Sequence, residues 1–180
     1  MTKPASELRI EKFEREALTH LEALTRTAGR LASGRQEAED IVQETYLRAW
    51  KYFDSFETGS NCAAWLFRIM FNVINAKKGK EARMPESAFE DEEGALYQSG
   101  KVVTFDPLRR IEGGEALEAT KQLSEDHRSV LWLVVVEEFS YKETAEILNV
   151  PIGTVMSRLH RARRDLRRIL MTGGVTGTAG

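Results

Sequence analysis

The sequence contains few of the residues from which catalytic and metal sites are built. It has one cysteine, Cys62, so an internal disulfide is excluded. Its three histidines, His20, His127 and His160, are scattered and do not show the spacing of metal ligands. No phosphate-binding glycine loop and no nucleophile elbow is present. We therefore expect a protein that is not an enzyme and that binds neither a metal nor a cofactor.

Long apolar segments are also absent. The longest uninterrupted apolar run, residues 130–136, is far too short to cross a bilayer. The first residues contain no apolar signal core, and we therefore expect a cytoplasmic protein without membrane insertion. The 180 residues, of which 42% are hydrophobic and 30% charged, suit one medium or two small soluble domains.

Charge is distributed unevenly along the chain, although the net charge is only −2. Residues 84–115 contain eight acidic and three basic residues, which gives this segment a formal charge of −5. Glycine and proline interrupt it at several positions, and we expect a flexible acidic linker here. Residues 153–170 contain six arginines and one aspartate, a formal charge of +5. A basic segment of this kind is typical of nucleic-acid binding.

Residues 140–170 have the pattern of two short helices joined by a tight turn. Ser140 is placed to cap the first helix with Glu143 completing a capping box, and Asn149 is placed to end it. Pro151 favours the start of the second helix, and Gly153 would allow a close approach between the two. The second helix has a narrow apolar stripe, formed by Val155, Leu159, Ala162, Leu166 and Ile169.

This pattern predicts a helix-turn-helix that packs through its apolar stripe and lays its arginine face along DNA. A solvated basic helix is the alternative. The segment YKETAEILNVPIGTVMSRLHRARRDLR resembles the promoter-reading C-terminal domain of bacterial RNA polymerase sigma factors of the extracytoplasmic-function (ECF) group. The resemblance implies that the second helix contacts the −35 promoter element.

The arginines of this helix are expected to play different parts. Arg161 faces outward and is the best candidate for a guanine contact, whereas Arg164, Arg167 and Arg168 are candidates for phosphate contacts. Arg158 is nearer the buried edge and is either structural or bound to a phosphate. The complete set assigned to the −35 element is Thr154, Met156, Ser157, Arg158, His160, Arg161, Arg164 and Arg168.

The apolar spacing nearer the N-terminus predicts helices over residues 10–31 and 36–53. On physical grounds alone, the polar side chains of the second helix are a solvated face. Its segment DIVQETYLRAW nevertheless resembles the sigma-factor helix that docks on the clamp coiled coil of RNA polymerase. The resemblance assigns contacts with core polymerase to Asp40, Gln43, Glu44 and Arg48.

A polar loop, residues 54–61, leads into a predicted helix over residues 62–83. Aromatic, amide and basic side chains alternate in this helix, and such a mixture suits single-stranded DNA. The alternative places the apolar members, Trp65 included, in a core. The segment FETGSNCAAWLFRIMFNVIN resembles the sigma-factor region that melts and captures the −10 element. The resemblance assigns a flipped-base pocket to Ser60 and Asn61. From their chemistry, the side chains of the helix expected to contact the single strand are Trp65, Arg68, Asn72, Asn75, Lys77 and Lys78.

Residues 116–139 return to a helical pattern, with Ser124 as an N-cap. The valine-rich run 130–136 has strand propensity, but its position between helix signals predicts a buried helix. We therefore expect an all-α protein with two small domains and a flexible acidic linker. The expected divisions are a sigma region 2 domain over 1–83, the linker over 84–115, a sigma region 4 domain over 116–172 and a disordered tail over 173–180.

The implied function is that of an alternative sigma factor, which binds core RNA polymerase through its β′ clamp and β subunit and recognises promoter DNA. Control by an anti-sigma factor is also implied. The TGSN-x-x-AWL and PIGTVMSRLHRARR segments look closest to the subgroup associated with thiol-oxidative stress.

Three other functions fit part of the sequence. An ordinary helix-turn-helix regulator would need a sensor or dimerisation domain, which the sequence does not show. A sigma-mimicking adaptor, which sequesters an anti-sigma factor, could lose the DNA-reading residues that this chain retains. A nucleic-acid enzyme would need a carboxylate or metal cluster, and the acidic run 90–93 in a flexible linker is a poor candidate.

Overall fold

The computed structural model describes residues 4–79 and 114–173 of the chain, and all regular structure in these two ranges is helical. The all-α prediction is therefore confirmed. The predicted tail from residue 174 onwards and nearly all of the predicted linker lie outside the described residues, whereas residue 173, predicted to begin the tail, is helical. The chain divides into an N-terminal compact unit, which contains the first four helices, and a C-terminal one.

The N-terminal unit contains four α-helices: α1 (Ala5–Glu16), α2 (Leu21–Leu31), α3 (Arg35–Tyr52) and α4 (Cys62–Lys77). The prediction of one helix over 10–31 is wrong, because the chain breaks after Glu16 and forms a short 3₁₀ turn, Leu18–His20, before α2. At the break, the Ala17 carbonyl accepts a hydrogen bond from the hydroxyl of Tyr46 at 3.0 Å and another from the His20 amide at 3.2 Å. Tyr46 lies on α3, so this contact is not visible in local sequence.

Helix α3 lies at the centre of this unit and packs against both α2 and α4. All three helices contribute side chains that are almost fully buried: Leu24 from α2, Ile41 from α3, and Leu66 and Met70 from α4. Burial of a large aliphatic side chain contributes about 1.5–3 kcal/mol, so these residues stabilise the packing of the unit. Helix α4 is shorter than the predicted 62–83, since it ends at Lys77 and is followed by Gly79 in the left-handed conformation at φ 62°.

The C-terminal unit contains α5 (Gly114–Lys121) and α6 (Glu125–Leu131), and α6 continues into a π-helical turn, Trp132–Val136. Ser124 caps α6 as predicted, with its side chain accepting a hydrogen bond from the His127 amide at 3.3 Å. The valine-rich run is helical, as predicted, although most of it adopts the wider π turn. Helix α5 begins two residues inside the segment predicted as linker.

The helix-turn-helix follows as α7 (Tyr141–Leu148) and α8 (Ile152–Gly173). The predicted capping box is confirmed: the Glu143 amide donates to Ser140 Oγ at 3.2 Å, and the Ser140 amide donates to the Glu143 carboxylate at 2.9 Å. Asn149 ends α7 in the left-handed conformation at φ 53°. The apolar stripe of α8 is buried at Val155, Leu159, Ala162 and Leu166, and α8 packs against α5 and α6.

Candidate functional site

The four side chains predicted to bind core polymerase line one shallow groove between α3 and α4, with a volume of about 450 Å³. Leu47 lies in the same groove and is 59% exposed, so its side chain is available to a partner that enters the groove. Helix α4 contributes Val73, Ala76 and Lys77 to the opposite wall. The groove therefore combines an apolar strip with charges of both signs.

The charged groups in this groove are held by one another. Arg48 Nε donates to Glu44 Oε1 at 2.6 Å, one helical turn along α3. Lys77 Nζ lies 3.7 Å from Asp40 Oδ2, and this ion pair joins the two helices. These side chains are about half exposed, so the pairs add little stability but fix the orientation of the charges that a partner would meet.

Lys77 is one of the residues that the sequence assigned to single-stranded DNA. Three of that set, Arg68, Asn72 and Asn75, fall on one face of α4 at helical spacing. Lys77 is about 180° away from this face by the same rule, and the structure places it in the groove with Asp40. The structure thus separates Lys77 from Arg68, Asn72 and Asn75, and its assignment to the −10 element stays a prediction.

The proposed base pocket lies in the loop just before α4. Ser60 is exposed, and its Oγ donates to the Glu57 carbonyl at 2.7 Å while its amide donates to the same oxygen at 3.1 Å. Asn61 is the N-cap of α4, and its Oδ1 accepts from the Ala64 amide at 3.1 Å. Both side chains are thus held in place by backbone contacts on the surface of the unit.

The remaining residues of the −10 set differ in exposure. Arg68 and Asn72 are exposed, Asn75 and Lys78 are half-buried, and Trp65 is half-buried against two phenylalanines. The Trp65 ring centroid is 5.0 Å from that of Phe56 and 6.4 Å from that of Phe53. The packing of Trp65 agrees with the alternative in which this side chain belongs to the core.

Cys62, the first residue of α4, is buried, and burial raises the pKa of its thiol to about 11, with a smaller contribution from Glu16. A thiol with so high a pKa is almost entirely protonated at neutral pH and is a poor nucleophile.

In the C-terminal unit, the exposed face of α8 is formed by arginines. Arg161, Arg164, Arg167 and Arg168 are exposed. The other residues predicted to face the −35 element are half-buried: Thr154, Met156, Ser157 and His160.

Arg158 differs from the other predicted DNA-binding arginines. Its guanidinium lies 3.0 Å from the Asp126 carboxylate of α6, and its side chain is 15% exposed. Of the two roles that the sequence left open for Arg158, this position favours the structural one.

Asp165, the single acidic residue of the basic segment 153–170, lies among basic groups. Its carboxylate is 3.6 Å from Arg164, 3.7 Å from Arg168 and 3.5 Å from Nδ1 of His127 on α6. Burial lowers the pKa of His127, and this effect outweighs the opposite influence of Asp165. The lowered pKa favours the neutral form of His127, so the charge–charge contacts of Asp165 are those with Arg164 and Arg168.

Sequence reasoning missed the apolar part of the groove. Leu47 follows Asp40, Gln43 and Glu44 at helical spacing, so the same face could have been extended to it. Val73 and Ala76 could not have been found this way, because the groove depends on the packing of α4 against α3. Among the described residues, no group of three or more His, Cys, Asp or Glu side chains is arranged to hold a metal.

Two family models match the chain. Residues 17–83 match sigma-70 region 2, and residues 114–166 match sigma-70 region 4. A helical N-terminal unit with a polar groove, followed by a basic helix-turn-helix, thus defines a transcription initiation factor of the sigma-70 type.

Similar proteins show to which group of sigma-70 factors the chain belongs. The ECF RNA polymerase sigma factor EcfG of Rhodopseudomonas palustris is 36% identical over 146 residues, which cover 80% of this chain and 77% of that protein. The ECF RNA polymerase sigma factor SigL of Mycobacterium tuberculosis is 35% identical over 158 residues, which cover 87% of this chain and 88% of that protein. The sigma factor RpoE of Bartonella quintana, solved in complex with the anti-sigma factor NepR, superposes with a TM-score of 0.67 at 34% identity, and the match covers 89% of this chain and 98% of that one. The chain belongs to the ECF group of RNA polymerase sigma factors.

Membership of this family establishes the general activity. The protein is an initiation factor and not an enzyme: it binds core RNA polymerase and promoter DNA and directs the start of transcription. Within the ranges 4–79 and 114–173, no helix combines the length and the apolarity needed to span a bilayer.

Proposed function

We propose that the two units have different roles in transcription initiation and that their boundaries are those predicted from the sequence. Residues 1–83 would dock on polymerase and capture the −10 element, residues 116–172 would read the −35 element, and residues 84–115 would connect them, with 173–180 as a tail. The observation that supports this most directly is the groove of α3 and α4, where all four predicted docking residues come together beside an exposed leucine.

The groove suits a helical partner with charges of both signs. Asp40 and Glu44 present carboxylates, Arg48 and Lys77 present cations, and Leu47 supplies an apolar contact between them. Interfaces gain most of their affinity from a few central side chains that become fully desolvated, while rim charges set orientation and association rate. The proposed occupant is the clamp coiled coil of the β′ subunit, with further contacts on the β subunit elsewhere along the chain.

The −10 surface is proposed to run from the Ser60–Asn61 loop along the exposed face of α4. Arg68, Asn72 and Asn75 would contact the separated strand, and Lys78 would hold a phosphate. Lys77 is reassigned to the polymerase groove because of its ion pair with Asp40. Trp65 would support this surface through its packing, without stacking on a base.

For the −35 element, the proposed readers are the outward residues of α8. Arg161 and His160 would meet base edges, Arg164 and Arg168 would hold phosphates, and Met156, Ser157 and Thr154 would line the entry of the helix into the groove. The half-buried position of the last three limits them to atoms close to the helix surface.

Regulation is proposed to come from an anti-sigma factor. The support is the similarity to RpoE, which was solved in complex with the anti-sigma factor NepR. We place the protein in the cytoplasm, where RNA polymerase acts. The thiol-oxidative-stress subgroup remains a proposal that rests on two sequence segments. If it holds, the redox-sensitive group belongs to a partner, because Cys62 is buried and protonated.

Run-off transcription with core polymerase tests the assignment of the groove. The triple variant Asp40→Ala, Gln43→Ala, Glu44→Ala should lose core binding and transcripts while keeping the unfolding midpoint of the unsubstituted chain. The double variant Glu14→Ala, Glu22→Ala changes exposed acidic residues outside the groove and is the matched control. Full core affinity of the triple variant would remove the groove from the docking site.

The same assay separates the competing functions. An ordinary helix-turn-helix regulator would bind its duplex site equally well without core polymerase. A sigma-mimicking adaptor would give no transcript from any promoter, even while binding an anti-sigma factor.

A further inference from the structure

Two basic side chains of α1 hold the loop that precedes α4. Arg9 Nε donates to Asp54 Oδ1 at 2.9 Å, and its Nη2 donates to the Trp50 carbonyl at 2.7 Å. The Arg9 guanidinium also lies 4.0 Å from the centre of the Trp50 ring. Lys12 Nζ donates to Thr58 Oγ1 at 2.6 Å. Helix α1 is therefore attached to the beginning of the loop at Asp54 and to its middle at Thr58.

Aromatic rings continue this attachment from α1 to the first turn of α4. Phe13 meets Phe53 edge-on at 4.9 Å and Trp50 at 5.1 Å between centroids. Phe53 stacks on Phe56 at 5.9 Å, and Phe56 lies 5.0 Å from Trp65. Aromatic pairs at these distances contribute beyond their buried area, and Phe13, Phe53 and Phe56 are buried. The polar contacts of Arg9 and Lys12 thus lie beside a packed group of aromatic rings that also joins α1 to the loop and to α4.

The loop has little freedom between its two attachments. Lys12 fixes Thr58 on one side, and on the other side Asn61 is fixed as the N-cap of α4. Only Gly59 and Ser60 lie between them. Gly59 adopts φ 94°, a conformation that other residues rarely accept, and Ser60 is bonded to the Glu57 carbonyl. The position of Ser60 therefore depends on where α1 holds Thr58, relative to Asn61 at the start of α4.

Helix α1 ends at Glu16, before residue 17, where the region 2 match begins. We propose that α1 is a positioning element for promoter opening, in which Arg9 and Lys12 hold the loop in the conformation that lets Ser60 and Asn61 receive the captured −10 base. A loop ordered before binding does not lose its conformational entropy when the base enters, so both opening and base preference benefit. The inference rests on the proposed role of Ser60 and Asn61.

Lys12 could instead contact a DNA phosphate directly, and Thr58 separates the two possibilities. Thr58→Val removes the hydroxyl that Lys12 binds but leaves the lysine in place, whereas Thr58→Ser restores the hydroxyl. Lys12→Met removes the contact from the other side. Arg15→Ala is the matched charge control, because it removes one cation from the same helix and its ion pair is with Glu16.

The full chain with core polymerase is tested on duplex and premelted promoters that differ at the captured −10 base, with permanganate reactivity as the readout. Lys12→Met and Thr58→Val should lower opening of the duplex promoter by about two- to tenfold, the range for one lost hydrogen bond, and should flatten base preference. Premelted promoter should be affected less, core binding should be unchanged, and Thr58→Ser and Arg15→Ala should match the unsubstituted chain.

The proposal is wrong if Thr58→Val leaves opening and base preference unchanged. If Lys12→Met then also lowers the salt dependence by about one unit, Lys12 contacts a DNA phosphate instead. Alanine variants of Ser60 and Asn61 report separately on the pocket. If they leave base preference unchanged, the proposed pocket and the inference fail together. If they alter it while Thr58→Val does not, the inference alone fails.

Discussion

The guanidinium of Arg158 in α8 lies 3.0 Å from the carboxylate of Asp126 in α6. The arginine therefore joins the recognition helix to the helix against which it packs. The Arg158 side chain is only 15% exposed, so little of it is available for a contact with DNA while this pair is formed. The orientation of α8 therefore depends on two kinds of contact: the ion pair between Arg158 and Asp126, and the packing of the apolar stripe.

Breaking this pair should lower stability and DNA affinity without changing base preference. We expect Asp126→Asn to lower the free energy of unfolding by about 1 kcal/mol, a value reduced because the carboxylate is 40% exposed. Arg158→Met should have a similar effect, and the double variant should cost less than the sum of the two. Urea unfolding of the three variants measures this coupling.

Binding to a panel of single-base −35 mutants provides the second readout. If Arg158→Met altered preference at one base position while Asp126→Asn did not, Arg158 would be a reader and its ion pair incidental. Equal losses on every sequence would support the positioning role.

The apolar part of the groove gives a prediction for polymerase binding. Leu47→Ala removes a side chain that is 59% exposed, so the free energy of unfolding should change by less than about 0.5 kcal/mol. If the leucine becomes buried against the clamp, affinity for core polymerase should fall by about 1–2 kcal/mol, or roughly tenfold. Competition binding to core measures this change.

Leu8→Ala is the control for Leu47→Ala. Leu8 is 50% exposed on α1 and does not line the groove. An equal loss of affinity in both variants would mean that the effect is not specific to the groove.

The buried thiol of Cys62 should be unreactive in the folded protein at neutral pH. Its pKa of about 11 lies above its ordinary value of 9.0, because burial disfavours the thiolate. The folded state therefore holds this proton more tightly than the unfolded state does. The resulting stability is present below pH 9 and is lost as the pH rises towards 11.

Iodoacetamide labelling followed by mass spectrometry measures this property. Labelling at pH 7.5 should be slow in buffer and fast in denaturant, and Cys62→Ala should retain run-off activity. Rapid labelling of the folded chain at pH 7.5 would contradict the buried position and would make Cys62 a candidate for direct redox control.

The sequence predicted those parts of the fold that depend on neighbours along the chain. Ser140 with Glu143, and Asn149, act through bonds within one turn, and each has the predicted role. The break after Glu16 was missed because the carbonyl of Ala17 is satisfied by Tyr46, 29 residues away. Gly153 was expected to allow a close approach between the two helices. No atom of a neighbouring element lies within 4 Å of the place that a Cβ would take there, so this expectation is wrong.

The candidate sites show the same division. Helical spacing placed the polar residues of α3 on one face, but only the packing of α4 shows that Lys77 belongs to this groove and not with Asn72. Arg158 lies on the border of the apolar stripe, where periodicity cannot decide between core and surface. Its partner, Asp126, comes from another helix, and a contact of this kind requires the structure.

The recognition helix provides the last prediction, which separates base reading from phosphate binding. Arg161 and Arg167 are both exposed on α8, but the first lies near the N-terminal half, which enters the major groove in helix-turn-helix proteins, and the second lies a further turn and a half along. Arg161→Ala should cost about 1–3 kcal/mol and flatten preference at one −35 position. Arg167→Ala should weaken binding to all sequences alike and reduce the salt slope by about one unit.

Both variants are measured in complexes with core polymerase, at two salt concentrations, against the same panel of single-base −35 mutants. Lys142→Ala, a substitution of an exposed cation on α7, is the control for a general loss of positive charge. If Arg161→Ala lowered affinity uniformly and Arg167→Ala changed base preference, the helix would present its other end to the base edges. The residues that read the −35 bases would then lie in the C-terminal half of α8. The four exposed arginines extend over about two helical turns, so they cannot all reach the same base pairs.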